Sequence, residues 1–188
     1  DPATEKTIEQ SPGYTKETAT MQKTTLTLPK KTLVGITART NNATEADESG
    51  LKGRIWPCVQ RYFGEQIANN IPNRSNPGVT LCAFTEYESD HTGDYTYFIG
   101  EEVTSVDAST LPEGLAVSEV PAQTYVKFTT DPGEMPAVIR NAWFEIWSMD
   151  DKAFGGTRSY RTDFELYDER AATPDHRGIV LDIFIGIE

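Results

Sequence analysis

The sequence predicts an α+β domain built from two β-α-β-β units related by a pseudo-twofold axis, with an antiparallel sheet and a central ligand cleft. Three observations predict it. The order of strand-like and helix-like segments runs through the chain twice. Short residue matches recur in that order: Pro57-Cys-Val-Gln-Arg61 with Pro136-Ala-Val-Ile-Arg140, Phe84-Thr-Glu-Tyr87 with Phe164-Glu-Leu-Tyr167, and Phe98-Ile99-Gly100 with Phe184-Ile185-Gly186. Two copies are too few for a solenoid. A duplicated unit instead pairs with its copy, and the cleft at the join is a favoured place for a ligand.

Residues 1–20 are rich in Thr, Glu, Lys and Pro without apolar periodicity, so they read as a flexible leader whose removal changes stability little. Met21 is a natural starting point, which would make the leader an upstream or added segment. The folded domain then covers 21–188, with halves at about 24–103 and 116–188. Thr24 to Thr40 alternates as a strand around Leu33-Val34-Gly35-Ile36. Leu51 to Ile71 has helical spacing through Ile55, Val59, Tyr62, Phe63 and Ile67, and Asn69-Asn70 and Pro72 stop it. Val79 to Tyr87 and Tyr95 to Val103 are strands about a turn at Asp90 and Gly93. Thr104 to Gly114 is polar and joins the halves. Ala116 to Thr129 is the next strand, Pro136 to Ser148 a helix, Tyr160 to Tyr167 a strand, Ala171 to Gly178 a loop, and Ile179 to Ile187 the last strand.

The totals exclude several classes. The 188 residues, 37% hydrophobic and 24% charged, suit a globular chain with a real core. No apolar run approaches the roughly 20 residues that cross a bilayer, and no apolar signal segment opens the chain. The net charge of −12 repels phosphate backbones, which argues against direct nucleic-acid binding; it equally suits a surface that keeps the chain soluble. Cys58 and Cys82 sit in apolar segments and read as buried thiols, which fits the cytoplasm. His91 and His176 lie in turn-like Asp-His-Thr-Gly and Asp-His-Arg-Gly stretches outside any spaced ligand cluster, so no metal is expected. No phosphate loop, GxGxxG or GxSxG pattern points to a cofactor or a serine nucleophile.

The candidate site centres on Glu165. Strand alternation puts Tyr160, Thr162, Phe164 and Leu166 on one face, apolar enough to pack on a helix. Arg161, Asp163, Glu165 and Tyr167 take the other. The repeat places Thr85 opposite Glu165, so the acid is not required by the duplication. On spacing alone, an exposed glutamate on a solvated face is the ordinary reading. Trp143 and Trp147 share a helix face at i, i+4, beside Phe144; such a stripe packs a core or walls a pocket. Tyr125, Tyr95, Tyr97 and Phe98 could extend that wall. The repeat puts Phe98 with Phe184 on one face and Tyr97 with Ile183 on the other, and leaves open which face lines the cleft.

Taken together, Val120-Pro-Ala-Gln-Thr-Tyr125, a helix ending at Trp147, Phe164-Glu-Leu-Tyr167 and Tyr97-Phe98-Ile99-Gly100-Glu101-Glu102-Val103 resemble the GyrI-like small-molecule-binding domains, the AraC-type effector-binding domain, over Met21 to Glu188. The resemblance implies two β-α-β-β units holding a lipophilic, often cationic, molecule between them. It places the acid that meets the ligand's charge at Glu165, within the Phe-Glu-x-Tyr pattern, and the helix-end tryptophan at Trp147. The chain departs from the pattern at Trp147-Ser148-Met149, where Trp-Leu-Pro is usual, and at Gly186, where Pro is usual. What it implies is a stand-alone module without cofactor or catalytic residues, binding a cationic ligand through Glu165, Trp147, Trp143, Tyr167, Tyr125, Phe98 and Tyr97. A partner protein or a second copy of the chain is compatible with it. Two rivals follow from the same resemblance. One is a hydrolase of strained-ring electrophiles, with Glu165 as base and Tyr167 as positioning group. The other is a protein-inhibiting partner acting through its acidic surface.

Overall fold

A computed structural model describes residues 21–50 and 52–188; the segment read as a leader lies outside them. Among the described residues, eight strands form one antiparallel sheet: β1 (Gln22–Leu28), β2 (Lys31–Thr40), β3 (Thr80–Thr85), β4 (Tyr95–Val103), β5 (Ala116–Val120), β6 (Gln123–Thr129), β7 (Thr162–Tyr167) and β8 (Asp182–Ile187). Helices α1 (Asn42–Glu45) and α2 (Ile55–Gly64) follow β2, and α3 (Ala137–Trp147) and α4 (Asp151–Phe154) follow β6. Among the described residues, no helix is long and apolar enough to cross a membrane.

The strand order, β1-β6-β8-β7-β3-β4-β2-β5, reads the same from either edge once the halves are exchanged. The β-α-β-β units are β2-α2-β3-β4 and β6-α3-β7-β8, and β3 meets β7 at the centre. The single strands expected over Thr24–Thr40 and Ala116–Thr129 are each split in two. Pro29-Lys30 separates β1 from β2, and Pro121-Ala122 separates β5 from β6. Proline offers no N–H to a ladder, so a strand tends to end there. The freed leading strands change sides: β1 pairs with β6 and β5 with β2, so each unit carries a strand of the other on its edge.

The helix expected over Leu51–Ile71 is shorter. Gln66 takes a left-handed backbone at φ 52°, and only a 3-10 turn, Ile67–Asn70, continues the spiral. Left-handed Glu86 and Tyr160 likewise lie just outside the ends of β3 and β7 that pair with each other.

Both helices pack on one face of the sheet, over separate cores. Under α2, Cys58 and Tyr62 meet Val34, Ile36, Cys82, Tyr97 and Ile99. Under α3, Val138, Ala142 and Ile146 meet Val126, Phe128, Ile183 and Ile185. Cys58 and Cys82 are free, buried thiols. The other face holds a third core made without helices: Leu33, Phe98, Tyr125, Phe164 and Phe184, with Leu26 from one edge strand and Val120 from the other. Leu33, Phe98, Val120, Tyr125 and Phe164 are fully buried on a face that no helix covers, so the sheet curls over itself. Gly35 of β2 and Gly100 of β4 pair with each other, and a Cβ on either would strike the opposite backbone. Phe164 and Phe184 stack at 4.4 Å between centroids. At roughly 1.5–3 kcal/mol per fully buried aromatic or aliphatic side chain, this layer anchors the centre of the sheet.

Candidate functional site

A cavity of about 780 Å³ lies between α2 and α3 on the helix face of the sheet. Each helix carries two stripes. On α3 the buried stripe is Val138, Ala142 and Ile146, and the adjacent stripe, Ile139, Trp143 and Trp147, turns to the cavity. On α2 the buried pair is Cys58 and Tyr62, while Trp56, Val59 and Phe63 turn to the cavity. The floor comes from Cys82 and Phe84 on β3, Tyr95, Tyr97 and Ile99 on β4, and Glu165 and Tyr167 on β7. Phe84 joins the aromatics edge-on, 5.1 Å from Trp143 and 5.6 Å from both Tyr95 and Tyr97. The rim stays open: Trp56, Phe63, Phe144 and Trp147 are all exposed.

Glu165 is only 5% exposed. Trp143 Nε1–H donates to one carboxylate oxygen at 2.7 Å and the Tyr167 hydroxyl to the other at 2.8 Å. Among the described residues no basic side chain forms an ion pair with it. Loss of hydration pushes its pKa up to about 7, against the pull of the two hydrogen bonds. Burial also raises the Cys82 thiol well above its ordinary value, and the nearby Glu165 charge adds to that.

A second polar group sits one pleat along β7. Asp163 is fully buried, with one oxygen accepting from Arg158 Nη2 at 2.6 Å and the Tyr87 hydroxyl at 2.7 Å, and the other from the Gly186 N–H at 2.9 Å. The Arg158 guanidinium lies 4.3 Å over the Tyr160 ring. Among the described residues, no group of three His, Cys, Asp or Glu side chains is placed to hold a metal ion.

Of the residues singled out in the sequence, Glu165, Trp143, Trp147, Tyr167 and Tyr97 line this cavity. Tyr125 and Phe98 do not. Both are fully buried in the core on the opposite face, where the Tyr125 hydroxyl donates to the Pro121 carbonyl at 2.8 Å. The pairing of Phe98 with Phe184 on one face holds, and the helix side is that of Tyr97 and Ile183. The expectation that Phe164 and Leu166 face a helix is reversed, since both point into the helix-free core. The match of Phe84 with Phe164 also fails by one residue. Phe98 and Phe184 pair with Ala83 and Phe164, and those two pair with each other at the axis. The residue related to Glu165 is therefore Phe84, not Thr85, which pairs with Thr162. A slip of one residue moves every side chain to the other face. Sequence reasoning missed Phe84, Cys82, Trp56 and the Arg158–Asp163 pair; the correct register would have found the first two.

The profile of the integron-associated effector binding proteins, Cass2, matches residues 25–187. The chain belongs to that family. It is a GyrI-like effector-binding domain, as the Phe-Glu-x-Tyr resemblance implied. YobU of Bacillus subtilis (strain 168), which carries the name of a transcriptional regulator, is 26% identical over 86% of this chain and 94% of its own length. The integron cassette protein VCH_CASS2 from the mobile metagenome of Vibrio cholerae shares the fold with a TM-score of 0.64 at 23% identity, over 88% of this chain and 95% of that one. SAV2435, solved bound to tetraphenylphosphonium, shares it with a TM-score of 0.67 at 21% identity, over 89% and 94%.

Proposed function

We propose that this chain binds a small lipophilic cation between α2 and α3, with Glu165 as the counter-charge and Trp143, Trp147, Tyr167 and Tyr97 in the surrounding wall. One observation carries the reading: a buried carboxylate held only by neutral donors at the floor of an aromatic cavity. Ionising such a group is costly while no positive charge lies near. A cationic ligand supplies that charge, and its apolar parts cover the exposed tryptophans and phenylalanines of the rim. SAV2435, of the same fold, takes tetraphenylphosphonium, a ligand of this kind.

Calorimetry at pH 8 tests the reading with a phenylalkyl trimethylammonium ion and its neutral tert-butyl isostere. Glu165→Gln keeps the shape and removes the charge. It should weaken the cation by about 1–3 kcal/mol and leave the neutral compound nearly unchanged. Trp147→Ala should weaken both. Equal affinity of Glu165→Gln and the unmutated chain for the cation would overturn the proposal.

A further inference from the structure

The Arg158–Asp163 pair has no part in the binding just described, yet Arg158 lines the same cavity. Its side chain is 8% exposed. Among the described residues only Nη2 donates within the protein, to Asp163; Nε is sealed without an acceptor, which leaves Nη1 as the donor a ligand can reach. A buried guanidinium with spare donors beside a cavity is incomplete, because an unmet buried donor costs stability. The Tyr160 ring beneath it and the Tyr87–Asp163 bond beside it fix its plane. Tyr160 is itself held by a 3.4 Å contact between its hydroxyl and His91 Nδ1.

We infer that Arg158 forms a second subsite, which takes an uncharged hydrogen-bond acceptor such as a carbonyl or ether oxygen on the ligand. The inference rests on the cation-binding reading and narrows the ligand class. Asp163 already balances the Arg158 charge at 2.6 Å. An anionic group would add a third negative charge beside Asp163 and Glu165, whereas a neutral acceptor meets the spare donors without one. Asp163 and Glu165 are two residues apart on one face of β7, so their Cα atoms are about 7 Å apart, and the Arg158 guanidinium bound to Asp163 lies on the order of that distance from the Glu165 carboxylate. The ligand is then a lipophilic cation with an acceptor about that far from its positive centre.

The test uses the full chain and two permanently charged probes. One is a phenylalkyl trimethylammonium ion whose chain carries an amide carbonyl about 7 Å from the nitrogen. The other has methylenes in place of the amide. The unmutated chain should prefer the amide probe by roughly tenfold. Arg158→Lys keeps the charge and loses the planar donor array. The double change Arg158→Met with Asp163→Asn removes both charges together, so neither is left buried alone. In each, confirmed as folded by near-ultraviolet circular dichroism, the ratio of the two affinities should fall to about one. Equal binding of both probes by the unmutated chain overturns the subsite, as does a preference that survives both variants. If the probes bind equally and Glu165→Gln weakens both, the cation reading stands and the subsite falls. If neither probe binds, the cation reading falls and the subsite with it.

Discussion

Phe84 in the first half and Glu165 in the second hold twofold-related places on adjacent central strands, and Cys82 answers in the same way to Asp163. The first half thus brings a phenyl ring and a thiol to the cavity floor, where the second brings the Glu165 carboxylate to the floor and pairs the fully buried Asp163 with Arg158. The cores differ too. The one under α2 contains Tyr62, Tyr95 and Tyr97, while the one under α3 is mostly aliphatic, with Ile146, Ile183 and Ile185. The duplication supplies a symmetric frame: two helices, each with a core stripe and a cavity stripe, over one sheet. The asymmetry supplies the chemistry. A ligand in this cleft meets apolar and aromatic surface from both halves, but among the described lining residues the one buried carboxylate is Glu165 on β7. Such a site has one electrostatic orientation, which a symmetric pair of acids would lack.

The contrast can be broken most sharply at Asp163. Asp163→Ala leaves Arg158 buried without its partner and removes the bonds to Tyr87 and Gly186 N–H. It should cost about 3–5 kcal/mol in denaturant unfolding, far more than an exposed ion pair. Ala83, Phe84 and Cys82 across the strand make no such network, so the loss is specific to the second half.

Glu165 has the opposite sign. Its folded pKa of about 7 lies above the ordinary 4.5, so between those values the folded chain holds a proton that the unfolded chain has released. Its contribution to stability is complete below about pH 4.5 and is lost as the pH rises through about 7. At pH 8 without ligand, Glu165→Gln should therefore stabilise the chain, by on the order of 3 kcal/mol. Unfolding of both forms at pH 5 and pH 8 checks it: the gap should be small at pH 5 and close to its full size at pH 8.

The smallest effect belongs to the other side of the sheet. Tyr125→Phe removes the bond to the Pro121 carbonyl and should cost about 1 kcal/mol of stability. Ligand affinity should not change, because Tyr125 belongs to the helix-free core.

The duplication and the order of elements were legible in the sequence because periodicity and short matches carry them, whereas the acid on the penultimate strand was singled out by the Phe-Glu-x-Tyr resemblance and not by its spacing. Two features were not. The exchange of β1 and β5 depends on long-range pairing; Pro29 and Pro121 mark the breaks without saying where the freed strands go. The register between the halves was misread because both Phe84-Thr-Glu-Tyr87 and Phe164-Glu-Leu-Tyr167 offer a Phe and a Tyr at the same spacing. In the folded sheet, Phe84 faces the helices and Phe164 faces away. Tyr125 and Phe98 were drawn into the site for a different reason: the repeat leaves open which strand face lines the cleft. An aromatic on a strand buried on both faces gives no local sign of its side.

The central claim is that the Glu165 carboxylate supplies the charge that a cation meets. The most direct test follows the affinity for tetraphenylphosphonium, whose charge does not titrate, from pH 5.5 to 8.5 in the unmutated chain and in Glu165→Gln. Affinity in the unmutated chain should rise with pH and level off above about 7 as the carboxylate ionises, while Glu165→Gln stays flat and weaker at pH 8. His91 and His176 also line the cavity, and the variant retains both, so its profile isolates the glutamate. A flat profile in the unmutated chain, or the same rise in both proteins, would contradict the claim.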